Sequence, residues 1–251
     1  MTTTVRDQVS DEEWDLRVDL AACYRAIALY GWDDLVFTHI SARVPGDERH
    51  FLINAYGLLF EEMTASSLVK VDLHGDKVLD SPHSINPAGF VIHSAVHEAR
   101  HDVGCVLHTH TRAGVAVSAQ ADGLLPLSQQ SLLPMVTLAY HNYEGVAVND
   151  AEKPRLVADL GNNNALILRN HGLLTTGASI ADAFLLMYAL ETACQIQLLA
   201  QSTSGELIHV PQPVIDGIEK QADKALQGLG GQLIWPGLLR KLDRLDSSFR
   251  D

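Results

Sequence analysis

The segment Val103-Gly104-Cys105-Val106-Leu107-His108-Thr109-His110 constrains this chain more than any other. Its first five residues are apolar and partly β-branched, the composition of a buried strand. Helical patterns precede and follow it, which calls for a layered α/β domain. Successive side chains of a strand alternate between faces, so His108 and His110 point the same way, about 6–7 Å apart, where the strand gives out. Two imidazoles so placed can share one metal ion. A third candidate, His171, ends another apolar run, Leu166-Ile167-Leu168-Arg169-Asn170-His171-Gly172. A lone histidine at a strand end is ordinarily a hydrogen-bonded structural residue; the alternating pair strengthens the metal reading without displacing that one.

Charge and composition exclude several partners. The 251 residues carry a net charge of −13 with no basic block, which argues against nucleic acid and anionic membrane surfaces. No window holds 18 uninterrupted apolar residues, and residues 1–15 lack the apolar core of a secretion signal. Cys23, Cys105 and Cys194 are odd in number, widely spaced and set in apolar segments, as expected of reduced core residues in a cytoplasmic protein.

Along the chain, Ser10-Asp11-Glu12-Glu13 reads as a capping box that opens a helix to about residue 30. Trp14, Val18, Ala21 or Ala22, and Leu29 would line its inner face, with Arg17 and Arg25 on the solvated side. Strands follow at 37–44, 51–53 and 68–73, with a turn at Asn54-Ala55-Tyr56-Gly57 and a short helix capped by Thr64. Asn86-Pro87-Ala88-Gly89-Phe90 opens a helix to about residue 100, on which His93, His97 and His101 form one stripe, ordinarily a half-solvated face. Residues 113–119 read as a helix, 126–134 as a loop and 135–140 as a strand. The segment His141-Asn142-Tyr143-Glu144-Gly145 is dense in proton-transfer groups. Asp150 caps a helix that ends at Gly161, 165–168 is the strand that delivers His171, and Ser179 caps a helix to about residue 201. Leu185, Leu186, Tyr188, Ala189 and Thr192 would pack that helix on the sheet. The tail, 202–251, is helical in pattern.

Four segments together resemble the class II aldolase/adducin family: Asp102-Val103-Gly104-Cys105-Val106-Leu107-His108-Thr109-His110, Asn170-His171-Gly172-Leu173-Leu174, Asn54-Ala55-Tyr56-Gly57-Leu58-Leu59, and Val69-Lys70-Val71-Asp72-Leu73-His74-Gly75. The resemblance implies one domain over 1–251 with its core at about 15–201. It implies a three-layer α/β/α sandwich around a mostly antiparallel sheet. It further implies a homotetramer with sites between subunits, and a tail that packs across a subunit boundary. In the family's enzymes the equivalents of His108, His110 and His171 hold a divalent ion, usually zinc, with manganese or iron as alternatives.

Two departures from the family pattern matter. Family aldolases carry Gly-Asn-x-Ser where this chain has Thr38-His39-Ile40-Ser41. They carry Ser-Ser-Glu, two phosphate donors and the acid/base, where this chain has Pro87-Ala88-Gly89. The acid/base of aldol cleavage is therefore missing. His93, one turn on, is a candidate either for a fourth metal ligand or for a substitute acid/base. His39, Gly57 and Asn86 are the expected substrate contacts. Tyr140, His141 and Glu144, with Tyr143 beside them, are candidates for the region where family members bring a tyrosine to the substrate. The resemblance implies a metal-dependent lyase on a small oxygenated carbonyl or hydroxy acid, with decarboxylation fitting better than aldol cleavage. It leaves two alternatives: a non-haem Fe(II) oxygenase on the same histidines, and a non-enzymatic, adducin-like interaction domain.

Overall fold

In the computed structural model, which describes residues 4–46, 48–146 and 149–251, Ser10 starts the first helix, α1 (Asp11–Leu29). Its side chain accepts from the Glu13 amide, satisfying one of the orphan donors of the first turn. The Glu13 carboxylate does not complete the expected capping box. It turns inward to Arg17 (3.0 Å) and Lys70 (2.7 Å). Arg17 is accordingly not a solvated residue. It is fully buried and also donates to the carbonyls of Ala65 and Leu68. Arg25, half-buried, reaches the Met63 carbonyl, Asp246 and Ser248, while Leu29 is exposed.

The next strands are β1 (His39–Arg43), β2 (His50–Ile53) and β3 (Val69–Asp72). Thr64 does not open a helix: Thr64 and Ser67 exchange reciprocal side chain–backbone bonds that close a turn. Helix α2 (Pro87–Ala99) is capped by Asn86, whose side chain accepts from the Ala88 amide at 3.0 Å. Then come β4 (Cys105–Thr109) and α3 (Arg112–Ser118). The expected loop at 126–134 instead contains a helix, α4 (Gln129–Met135), because Ser128 and Ser131 form a reciprocal cap at its start. Strand β5 (Leu138–His141) begins later than expected for that reason. Asn149, rather than Asp150, caps the turn that leads into α5 (Lys153–Leu160). Strands β6 (Ala165–Leu168) and β7 (Gly172–Gly177) form a tight hairpin, and Ser179 caps α6 (Ile180–Gln201).

The seven strands make one sheet in the order β3-β2-β1-β4-β7-β6-β5. Every pairing is antiparallel except β5 with β6. β4 lies at the centre and is buried throughout. Its alternation serves two cores: Cys105 and Leu107 join the cluster under α1 and α6, and Val106 joins Ile92, Val96, Leu156 and Leu166 under α2 and α5. Helices therefore cover both faces, the layered arrangement that a doubly buried sheet requires.

Helix α6 is long and apolar enough to span a bilayer by length and composition. Here Phe184, Met187, Leu190 and Cys194 bury it in the core of the domain. The inner face is rotated from the expected one, and Tyr188 is 41% exposed. The tail forms α7 (Gln212–Asp216), α8 (Ile218–Ala225) and α9 (Trp235–Leu245). It closes on its own chain: Trp235, Leu242 and Phe249 enter the α1/α6 cluster, and the Trp235 indole donates to Asp19 at 3.0 Å.

Candidate metal centre

Strand β4 ends by placing His108 on the α2 side of the sheet, and the chain then turns so that His110 faces it. The β6–β7 hairpin brings His171 to the same point. Asn170 takes a left-handed conformation (φ +56°) in that hairpin. Gly172 follows because nothing larger fits: a Cβ there would lie 2.4 Å from the Thr109 carbonyl oxygen. The result is three converging imidazoles. The His110 Nε2 atom is 2.9 Å from both His108 Nε2 and His171 Nε2, and the three ligand atoms all lie within 4.8 Å of one another.

Hydrogen bonds on the far side of two rings decide what faces inward. His108 Nδ1–H donates to the Leu173 carbonyl at 2.9 Å, and His110 Nδ1–H donates to the Asp34 carboxylate at 3.1 Å. Each ring then turns a bare Nε2 lone pair toward the centre, the tautomer a metal ligand needs. Burial holds His108 well below the usual imidazole range, helped by the neighbouring rings. Burial likewise brings His171 down to about 4. His108 and His171 are therefore available as neutral ligands at pH 7. A tetrahedral Zn–N₃ arrangement with bonds of about 2.0–2.1 Å puts nitrogens about 3.3 Å apart, so the observed spacing needs only small ring movements to hold such an ion. The donor set fits a divalent metal.

The cluster opens on a cleft of about 460 Å³. Asp34, His39, Tyr56, Asn86, His110, Tyr143 and His171 are its polar lining, and Phe37, Pro87, Ala88, Ile92 and Val146 its apolar lining. None of these residues is a lysine or arginine, and Asp34 is the one carboxylate among them.

A family model described as class II aldolase and adducin N-terminal domain matches residues 18–198. The chain belongs to this family. Among its relatives, a Pseudomonas aeruginosa protein provisionally named an aldolase class 2 protein is 62% identical over 98% of this chain and 96% of that one. Mouse alpha-adducin is 46% identical over 76% of this chain, which corresponds to 26% of the adducin. Among solved structures, the L-fuculose 1-phosphate aldolase of Glaciozyma antarctica superposes with a TM-score of 0.82 at 30% identity, covering 100% of this chain and 96% of the other. The class II aldolase fold expected from the sequence is thus the fold this family member has.

The structure brings together His108, His110 and His171, and sets His39 and Asn86 in the cleft wall. It does not bring the other candidates to it. His93 is fully buried behind His39. Gly57 adopts φ +102° in its turn, but it is Tyr56 that lines the cleft. Tyr140 and His141 are strand neighbours and so point to opposite faces. The Tyr140 hydroxyl accepts from the Leu124 amide, and the Arg169 guanidinium covers its ring at 4.3 Å. Both ring nitrogens of His141 are tied to carboxylates, Asp159 at 2.7 Å and Glu152 at 3.3 Å. Glu144 pairs with Arg155. From that segment it is Tyr143 that faces the site, its ring 6.2 Å from that of His171. Asp34, the partner of His110, lies in a loop with no periodicity to mark it, and the sequence reading missed it.

Proposed function

We propose that this family member is a cytoplasmic, divalent-metal-dependent carbon–carbon lyase acting on a small oxygenated carbonyl or hydroxy-acid substrate, by decarboxylation rather than aldol cleavage. The observation that carries the proposal is a cluster of three inward-facing imidazole nitrogens in a cleft with no carboxylate at position 89. His108, His110 and His171 would hold the ion, zinc first and manganese or iron as alternatives. When bound it would supply Lewis acidity to a carbonyl oxygen of the substrate.

The chain's own residues do the rest. Asp34 and the Leu173 carbonyl fix the orientation of two ligand rings. Phe37, Ile92 and Val146 give the cleft an apolar wall that thins the water around the reacting carbons. Loss of carbon dioxide breaks the bond to the carboxylate carbon and leaves the electron pair on the carbonyl fragment, where a proton from solvent in the open cleft then replaces the lost carbon. No side chain has to remove a proton first, so the glycine at position 89 is no obstacle. Aldol cleavage starts with removal of a hydroxyl proton and would need the missing base. The absence of lysine and arginine from the described lining also disfavours a phosphorylated substrate.

An apolar rim of Leu35, Phe37, Tyr143 and Val146, each at least half exposed, supports a homotetramer with sites at subunit contacts. The likeness to alpha-adducin supports a second reading, a non-catalytic interaction domain that keeps the histidines as a relic.

The test is a zinc-loaded preparation assayed for carbon dioxide release over a panel of small keto and hydroxy acids. Turnover of at least one acid is expected, lost on chelation and restored by zinc. Cleavage of L-fuculose 1-phosphate with no decarboxylation across the panel would contradict the proposal.

A further inference from the structure

His39, Ser41, His93 and His97 form a hydrogen-bonded file between the sheet and α2. All four side chains are buried. His39 Nδ1 lies 2.8 Å from His93 Nε2, His93 Nδ1 lies 2.5 Å from Ser41 Oγ, and Ser41 Oγ lies 2.8 Å from His97 Nε2. At the inner end His97 Nδ1 has no partner among the described residues. At the outer end His39 keeps one ring nitrogen, Nε2, for the cleft it lines.

Ser41 Oγ could accept from both rings, but its own proton would then have no acceptor among the described residues, so a file of neutral rings that places every shared proton runs in a single direction. In the inward direction every ring holds its proton on Nδ1, and His97 is left with a buried N–H that has no acceptor. In the outward direction His97 Nε2–H donates to Ser41, the serine hydroxyl donates to His93 Nδ1, and His93 Nε2–H donates to His39 Nδ1. His97 is then left with a bare lone pair. Orphaned buried donors are the rarer defect, and leaving one unpaired costs its full desolvation. Burial pushes His93 well below the usual imidazole range and brings His97 down to about 3, with Arg43 adding to the effect at His97.

We infer that the outward direction holds, and that His39 presents a fixed Nε2–H donor to an oxygen of the substrate, with Ser41, His93 and His97 as its positioning residues. The His39 ring stacks on that of His108, centroids 5.0 Å apart, so the donor sits beside the three-imidazole cluster. It also occupies the space a side chain on residue 89 would need: a Cβ on Gly89 would fall 2.3 Å from His39 Cδ2 and 2.8 Å from Nε2. Where an aldolase of this family has a group that takes a proton, this chain has one that offers a hydrogen bond. Such a donor suits a carbonyl or carboxylate oxygen that gains charge as carbon dioxide departs. A phosphate dianion would find no lysine or arginine on the described cleft wall. The substrate-facing role rests on the metal-centred reading above, whereas the direction of the file does not.

Long-range ¹H–¹⁵N correlation spectra of the histidine-labelled chain read the tautomers directly. The expected result is Nε2–H for His39, His93 and His97, with Nδ1–H for His108 as an internal contrast. Ser41→Ala should release His93 and His39 into mixed tautomers and leave His108 unchanged. An Nδ1–H tautomer for His39 in the wild-type chain overturns the inference. With zinc and oxalate bound, the His39 Nε2 proton should shift downfield, and an unmoved proton at saturation overturns the substrate-facing role. Failure to take up oxalate, with the tautomers as assigned, would remove the metal-centred reading and support the donor direction on its own.

Discussion

His108→Ala lowers zinc affinity by at least about a hundred-fold and leaves the fold in place. Removing a hydrogen-bond partner from behind a metal-ligating histidine already costs roughly 10–100-fold, and this change removes the ligand itself. His110 and His171 remain, each with its backbone setting, but two neutral nitrogens leave half of a tetrahedral shell to water. The fold survives because His108 contributes one hydrogen bond, to the Leu173 carbonyl, in a strand whose neighbours Val106 and Leu107 stay packed in two separate clusters. Competition titration against a chromophoric chelator, with circular dichroism as the control for folding, checks both halves. A variant that binds zinc as tightly as wild type would remove His108 from the ligand set.

Gly172→Ala lowers stability by about 2–3 kcal/mol and weakens zinc binding as well. The new methyl would sit 2.4 Å from the Thr109 carbonyl oxygen, where a carbon and an oxygen in contact need about 3.3 Å. The obstacle is backbone, so no rotamer change relieves it. Either β7 moves away from the end of β4, where Thr109 pairs with Leu173, or the hairpin carrying His171 shifts. The same methyl would press on His110 Cδ2 at 3.2 Å and His108 Cε1 at 3.4 Å. For a chain of this length the melting temperature should fall by roughly 5–10 °C. An unchanged melting temperature and zinc affinity would show that the strands part more easily than their register suggests.

Much of the centre was legible because two apolar runs both end in histidine. Strand alternation put His108 and His110 on one side. Other parts were hidden for physical reasons. Asp34 sits in a loop, where no period identifies a partner for His110. Glu13 and Arg17 have the i, i+4 spacing of a surface ion pair, and only the fold reveals that Lys70 and two carbonyls draw that pair into the core. The stripe of His93 and His97 looked half-solvated because Ser41, the partner that lets both be buried, is about fifty residues away in the chain. Helix α6 is apolar on nearly every side, so its sequence gave no phase from which to choose Phe184 and Met187 over Leu185 and Tyr188. Tyr140, His141 and Glu144 were singled out for their chemistry, yet Tyr140 points to the opposite face of the sheet and His141 and Glu144 are engaged by other side chains.

The most direct test of the three-histidine centre is metal analysis of untagged protein purified without added metal. The geometry predicts about one divalent ion per chain, zinc or manganese, held by three imidazoles, and its loss from the His108→Ala variant. Iron in that place would redirect the chemistry toward oxygen activation. No bound metal, even after incubation with zinc, would contradict the centre and leave the interaction-domain reading in its place.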